Sequence, residues 1–565
     1  MKRSLVVLLC LTFVAFAAVT RAQSSIIDTP HNLSSSGPGT VHALDEDRVC
    51  IFCHTPHGAR TEAPLWNRRD SSASYLPYDS PTLTAHPGQP TGSSKLCLSC
   101  HDGTVGLGDL VSEQAPIDFG GSSVIAPGPS LIGTDLRDDH PISFPYTESL
   151  AGAAGELASP HSWDPAIRLD ESGMLQCTTC HDPHDNEWGR FLVMHNAEAR
   201  LCRECHTSPD FDDTAHALST ASWSGTGVDP WPHTEFEDVA TNACLNCHRS
   251  HHAPGAQELL TGATDAATCL TCHDGSVARA NLETALRKPY RHPILETSGG
   301  HVPGEVLEGR ADHVTCSDCH NPHRAKTGKA EAPFVPGALV GVSGLTIAGT
   351  ATAEALFEYE VCLKCHAEES SVAFGGIERD VVSNGLLRAF GSDSPSFHPV
   401  AFPGRNPHVP SLIAPLNEES QIACSDCHGD DASAIGGNAA GPHGSQYQFL
   451  LKQEYQTGER VSESPTAYAL CYGCHDRSVV LSDRSFRGHR KHVVEERTPC
   501  SVCHDAHGID GAAGNAVNNA HLINFDLSVV SPLSSTGEIE YVSQGNGTGY
   551  CTLRCHGENH HEEGY

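Results

Sequence analysis

Cys177-Thr-Thr-Cys180-His181-Asp-Pro-His184 is the stretch from which the rest of the chain can be read. Residues three and four apart on a helical turn share a face, so this spacing presents two thiols and the His181 imidazole to one side. The pattern returns along the whole chain. Of 25 cysteines, 24 fall into twelve pairs, each followed at once by histidine. Eleven pairs are spaced Cys-x-x-Cys-His; the last, Cys551-Thr-Leu-Arg-Cys555-His556, carries one extra residue.

Two sulfurs and an imidazole on one face suit covalent attachment of a porphyrin, with thioethers to two vinyl groups on one edge and the imidazole under the iron. The pentad reads as c-type haem attachment. Zinc would gather four ligands tetrahedrally and gives no reason for histidine after every second cysteine. Disulfides suit an exported chain but leave that histidine without a role. The expected attachment sites are Cys50 with Cys53, Cys97 with Cys100, Cys177 with Cys180, and Cys202 with Cys205. Cys244 with Cys247, Cys269 with Cys272, Cys316 with Cys319, and Cys362 with Cys365 follow. Cys424 with Cys427, Cys471 with Cys474, Cys500 with Cys503, and Cys551 with Cys555 complete about 12 haem c groups. The proximal ligands are then His54, His101, His181, His206, His248, His273, His320, His366, His428, His475, His504 and His556.

The repeat unit is a pair of motifs. First cysteines within a pair are 25 residues apart in the second and third pairs and 46 to 51 apart in the others. This divides the chain into a leader (1–22) and six haem pairs: 23–130, 131–215, 216–285, 286–385, 386–485 and 486–565. Second members are preceded by plausible helical turns, and Gly/Pro/Ser-rich linkers separate the pairs. The expected fold is therefore mostly irregular chain with short α-helices and little or no sheet, an elongated chain organised around covalently bound haems.

First members tend to continue as Cys-His-x-x-His, supplying His57, His184, His251, His323 and His507, while the fifth pair has an insertion after which His443 reappears. A histidine three residues past the proximal one cannot reach the far face of its own porphyrin. It should ligate a neighbouring haem; for His184 the expected neighbour is the haem on Cys202 and Cys205. The remaining distal ligands are expected to be His31, His140, His233, His292, His398 and His492, with His42, His161, His216, His301, His313, His408, His489 and His521 in reserve. His195 is a further spare; His560 and His561 are expected to lie in a frayed C-terminal tail, with capping of a haem in a neighbouring subunit as the alternative. Past the initiator only Met174 and Met194 offer thioether ligands, so His/His coordination should prevail and potentials should be low.

The N-terminus has Lys2-Arg3, an apolar run from Leu5 to Val19, and small residues at Ala22, the pattern of a secretory signal peptide; Cys10 would leave with it. Only 38% of residues are hydrophobic, while Gly numbers 52 and Pro 36, so a conventional core is out of reach and bound cofactors must supply apolar surface. A formal charge of -34 argues against nucleic acid or anionic lipid as partner. No membrane span is expected after signal removal.

The stretches Cys50-Ile-Phe-Cys-His-Thr-Pro-His57, Leu96-Cys-Leu-Ser-Cys-His-Asp-Gly-Thr-Val105, His140-Pro-Ile-Ser-Phe144 and His398-Pro-Val-Ala-Phe402 resemble multihaem c-type cytochromes with doubled Cys-x-x-Cys-His repeats. The resemblance implies periplasmic or extracellular electron transfer through low-potential bis-histidine haems, and in some members polymerisation into filaments. Other redox proteins, copies of the chain, and extracellular metal oxides or soluble shuttles are the partners it implies. The expected role is electron transfer with no catalytic residue. The alternative, a terminal reductase, needs one open haem; no Cys-x-x-Cys-Lys marks one here, and histidines suffice to close every site.

Overall fold

The fold is built from single turns, each closed by a haem-type motif. In eight motifs the backbone N–H of the histidine donates to the carbonyl of the first cysteine at 2.8 to 3.0 Å, which puts both thiols and the imidazole on one side of the turn. In three more the motif ends a longer helix: Gly92–His101, Asp265–His273 and Glu358–His366. The computed structural model describes residues 25–59, 65–121, 123–296, 314–329, 331–368, 377–432 and 439–565. The expected leader, Cys10, His301 and His313 lie outside the described residues.

Local capping explains where these turns begin. The side chain of Thr264 accepts from the Ala267 N–H at the start of Asp265–His273. In the two Cys-Ser-Asp-Cys motifs the aspartate folds back on the residue before the first cysteine. Asp318 accepts from the Thr315 N–H at 2.7 Å and Asp426 from the Ala423 N–H at 2.8 Å.

The chain forms two compact units, Met1–Asn196 with Arg200–Thr207, and Ala197–Ala199 with Ser208–Tyr565. The expectation of irregular chain with short helices holds. Such sheet as there is concentrates at the C-terminus, where Thr548–Cys555 pairs antiparallel with Glu540–Gly545, Glu558–Gly564 and Val530–Ser531.

Apolar side chains gather in small clusters that abut motif cysteines. In the first unit Ile51, Phe52 and Leu110 pack by Cys53, and Phe144, Tyr146 and Leu175 by Cys205. In the second, Tyr359, Leu363 and Phe397 pack by Cys424, and Val502, Phe525 and Leu553 by Cys503. Each is too small to form a stable core alone, and each borders a motif cysteine. No helix among the described residues is long and apolar enough to cross a membrane.

Candidate metal centres: facing imidazoles along the chain

Ten pairs of histidine rings face one another with centroids 6.1 to 6.3 Å apart. Two metal–nitrogen bonds of about 2 Å and two ring radii of about 1.2 Å give roughly 6.4 Å, close to the observed spacing and the span of an imidazole–metal–imidazole sandwich. The residues therefore fit a six-coordinate haem iron. Among the described residues no group of three or more His, Cys, Asp or Glu gathers as zinc would need, and the 24 motif cysteines are free of disulfides.

Nine of the pairs join a motif histidine to one from elsewhere in its unit; the tenth joins His492 to His560. In the first unit His54 faces His184, His101 faces His31, and His206 faces His140. In the second, His248 faces His323, His320 faces His443, and His428 faces His507. His273 faces His216, His366 faces His292, and His504 faces His489. His475 lies near His398.

His184, His323 and His507 each lie across from the imidazole of a different motif. The partner differs from the sequence expectation, however: His184 meets His54 of the preceding pair, and His206 meets His140. The first motif of one pair is thus completed by the first motif of the next. Three further candidate ligands are placed differently from the facing pairs. His57 is exposed, and no imidazole among the described residues faces it. His233 points Nε2, the nitrogen a metal would use, at the Leu245 carbonyl 2.9 Å away, and His216 from the reserve takes the place opposite His273. His556 engages Glu459 through Nε2 at 2.7 Å. His489, also in reserve, faces His504, and His251 is exposed.

Ring orientation is set by the other nitrogen, Nδ1. His181 donates to the Arg190 carbonyl at 3.0 Å, His248 to Glu258 at 2.8 Å, His428 to Phe449 at 2.8 Å, and His504 to His521 at 2.9 Å. Such a bond fixes the tautomer and leaves Nε2 bare for metal. These four acceptors share a backbone device that sequence reasoning missed. Each has positive φ (50°, 65°, 61° and 54°), and so does the next residue: Phe191, Leu259, Leu450 and Leu522. A left-handed conformation costs an L-residue roughly 1–2 kcal/mol. The chain then returns to the motif, where Val193, Thr261, Lys452 and Asn524 donate to the carbonyls of Cys180, Cys247, Cys427 and Cys503 at 2.8 to 3.0 Å. The signal was present as a recurring apolar dipeptide: Phe191-Leu192, Leu259-Leu260, Leu450-Leu451 and Leu522-Ile523.

Burial disfavours the charged form of several candidate ligands, as a metal lone pair requires. Desolvation pushes His273, His443, His475 and His507 down to about 4 and His489 to about 3.

Consecutive motifs also touch. The thiols of Cys97 and Cys177, Cys269 and Cys316, Cys362 and Cys424, and Cys471 and Cys500 hydrogen-bond between one pair and the next. Within pairs, Cys53 neighbours Cys100, Cys180 neighbours Cys205, Cys247 neighbours Cys272, and Cys427 neighbours Cys474. Thioethers at these positions would hold porphyrin edges side by side.

Comparison with known proteins matches the family model for the doubled CXXCH motif to residues 171–211, 237–278 and 414–479. The chain is 28% identical over 175 residues to the multiheme cytochrome MtrA of Shewanella baltica (strain OS185). That match covers 29% of this chain and 40% of the relative, so the chain spans less than half the relative's length.

Proposed function

We propose that this chain is a multihaem c-type cytochrome with doubled Cys-x-x-Cys-His motifs and relays electrons through twelve covalent haems without binding substrate at iron. One observation carries the reading: motif histidine after motif histidine meets a second imidazole at the spacing of a six-coordinate iron. Closure of both axial positions removes the open site that reductive catalysis needs and leaves outer-sphere electron transfer. The bound haem supplies a one-electron iron couple; the polypeptide fixes spacing, ligand orientation and local charge.

The six motif pairs serve as successive relay modules. The twelve Cys pairs hold the haems, and His54, His101, His181, His206, His248, His273, His320, His366, His428, His475 and His504 lie under the first eleven irons. We further infer an exported protein, in line with its N-terminal leader pattern, that exchanges electrons with other redox proteins. Its charge of -34 favours basic surfaces on those partners. Self-association into filaments and delivery of electrons to metal oxides or shuttles are compatible with a chain of closed haems.

Intact-mass measurement joined to a spin-state survey of the oxidised holoprotein tests the reading. The expected result is twelve haems, all low-spin, with little carbon monoxide bound after reduction. A stoichiometric high-spin haem that turns over an oxyanion would replace the relay with a terminal reductase, and a mass short by several haems would refute the assignment of the motifs.

A further inference from the structure

The last motif departs from the other eleven in a way that reassigns its axial ligand. Cys551 to Cys555 lie on an extended strand, Thr548–Cys555, hydrogen-bonded to Glu558–Gly564. His556, which the other motifs would place under the iron, instead makes the hairpin turn. Its φ is +51° and that of Gly557 is +89°, the two positive values a tight two-residue hairpin demands. Its Nε2 is held by Glu459 at 2.7 Å.

Another histidine stands where a ligand is needed. His560 pairs across the hairpin with Leu553, and directly opposed residues project to the same face. Residues two apart on a strand also share a face, so Cys551, Leu553, Cys555 and His560 all point one way. His560 is 7% exposed and faces His492 with ring centroids 6.2 Å apart, the spacing of the nine other facing pairs. Both Nδ1 atoms are occupied: His492 donates to the Gly488 carbonyl at 2.7 Å, and His560 is hydrogen-bonded to the Tyr565 hydroxyl at 2.9 Å. Both Nε2 atoms are therefore left for a metal between the rings.

We propose that His560 and His492 are the axial ligands of the haem at the C-terminal motif, with His556 serving as a turn residue. The extra residue in Cys-x-x-x-Cys-His is then the mark of a strand-borne site: a hairpin, rather than a helical turn, brings the imidazole back to its cysteines. The assignment rests on the multihaem reading.

The test uses the full-length holoprotein and three variants. His556→Asn keeps a residue tolerant of positive φ, and every haem should remain low-spin. His560→Ala should open one iron, read as one high-spin haem and one bound carbon monoxide per chain. His560→Met should move one haem to markedly higher potential with the spin state kept, a response that a merely structural histidine would not give. Opening of an iron in His556→Asn, or an unchanged spin state and potential in both His560 variants, would overturn the assignment. Loss of most haems from the wild-type protein would instead sink the multihaem reading, which keeps the two failures distinct.

Discussion

His292 donates from Nδ1 to the carbonyl of Pro442 at 2.9 Å, and the next residue along, His443, faces His320 across 6.1 Å. One dipeptide thus serves two centres, the carbonyl orienting a ligand opposite His366 and the side chain completing the site at His320. The device recurs. His31 donates to Pro183 at 3.3 Å beside His184, His398 to Ala506 at 2.6 Å beside His507, and His216 to Pro322 beside His323. Neighbouring facing pairs within a unit are therefore tied to one another by backbone.

Replacing His443 with Ala separates the two roles of this dipeptide. All twelve haems should stay attached, because attachment depends on the cysteines. The His320 haem should become five-coordinate and high-spin with a raised potential, while the His366 haem stays low-spin because Pro442 still offers its carbonyl. Carbon monoxide titration against the visible spectrum counts the opened iron; two opened irons would mean that the carbonyl is not held independently of the side chain.

Ring planes sort eight of the ten facing pairs into two groups, with His489–His504 at 48° and His492–His560 at 36° lying between them. First-motif pairs closed by the following repeat have nearly parallel rings, at 20°, 20°, 14° and 15°. Second-motif pairs are steeply crossed, at 65°, 86°, 87° and 51°. Parallel imidazoles split the iron d orbitals rhombically, whereas crossed ones leave them near-degenerate. Low-temperature electron paramagnetic resonance of the oxidised protein should accordingly resolve ordinary rhombic low-spin signals beside highly anisotropic ones, in similar numbers. A single class would show that the ring angles do not survive in the holoprotein.

Arg68 is fully buried, and its guanidinium donates to the Ser99 hydroxyl and carbonyl and to the Gly106 and Leu107 carbonyls at 2.7 to 3.2 Å. It stands between two motifs, because Asn67 is bonded to the Cys53 carbonyl and Ser99 precedes Cys100. Arg68→Met removes a buried cation and strands several acceptors, which should cost about 3 kcal/mol or more. The haems on Cys53 and Cys100 should also shift to lower potential, since a nearby positive charge favours the reduced iron. Thermal unfolding and a spectroelectrochemical titration measure the two effects, and unchanged potentials would place the charge too far from either iron to matter.

The contact between successive pairs is clamped from a fixed position, four residues before the second motif's first cysteine. Ser93 bonds Thr178 at 2.7 Å, Asp265 accepts from Ser317 at 2.5 Å, and Glu358 accepts from the Ser425 hydroxyl at 2.7 Å and its N–H at 2.8 Å. Glu358→Ala should destabilise this junction by about 2 kcal/mol. Proteolysis or hydrogen exchange confined to the residues around Cys362 and Cys424 is the readout, and protection equal to wild type there would remove the clamp from the account.

Chemistry that depends on neighbours in the chain was legible without coordinates. Cys-x-x-Cys-His spans one turn, so its spacing alone sets the side of the chain on which thiols and imidazole lie, and the scarcity of apolar residues alone excludes a conventional core. The same local reasoning sent the Cys-His-x-x-His imidazole to another centre. It could not say which centre, because His184 and His54 are 130 residues apart in sequence, and only the packing of one repeat on the next brings them within 6.1 Å. Selection of His216 over His233 likewise turned on which Nε2 was left bare after Nδ1 and the backbone had made their hydrogen bonds. At the C-terminus one inserted residue replaced a helical turn with a hairpin, and strand register then carried His560, not His556, to a partner imidazole. A turn is closed by bonds between neighbours, whereas a distal ligand is chosen by which distant backbone reaches it first, and that choice belongs to the tertiary structure alone.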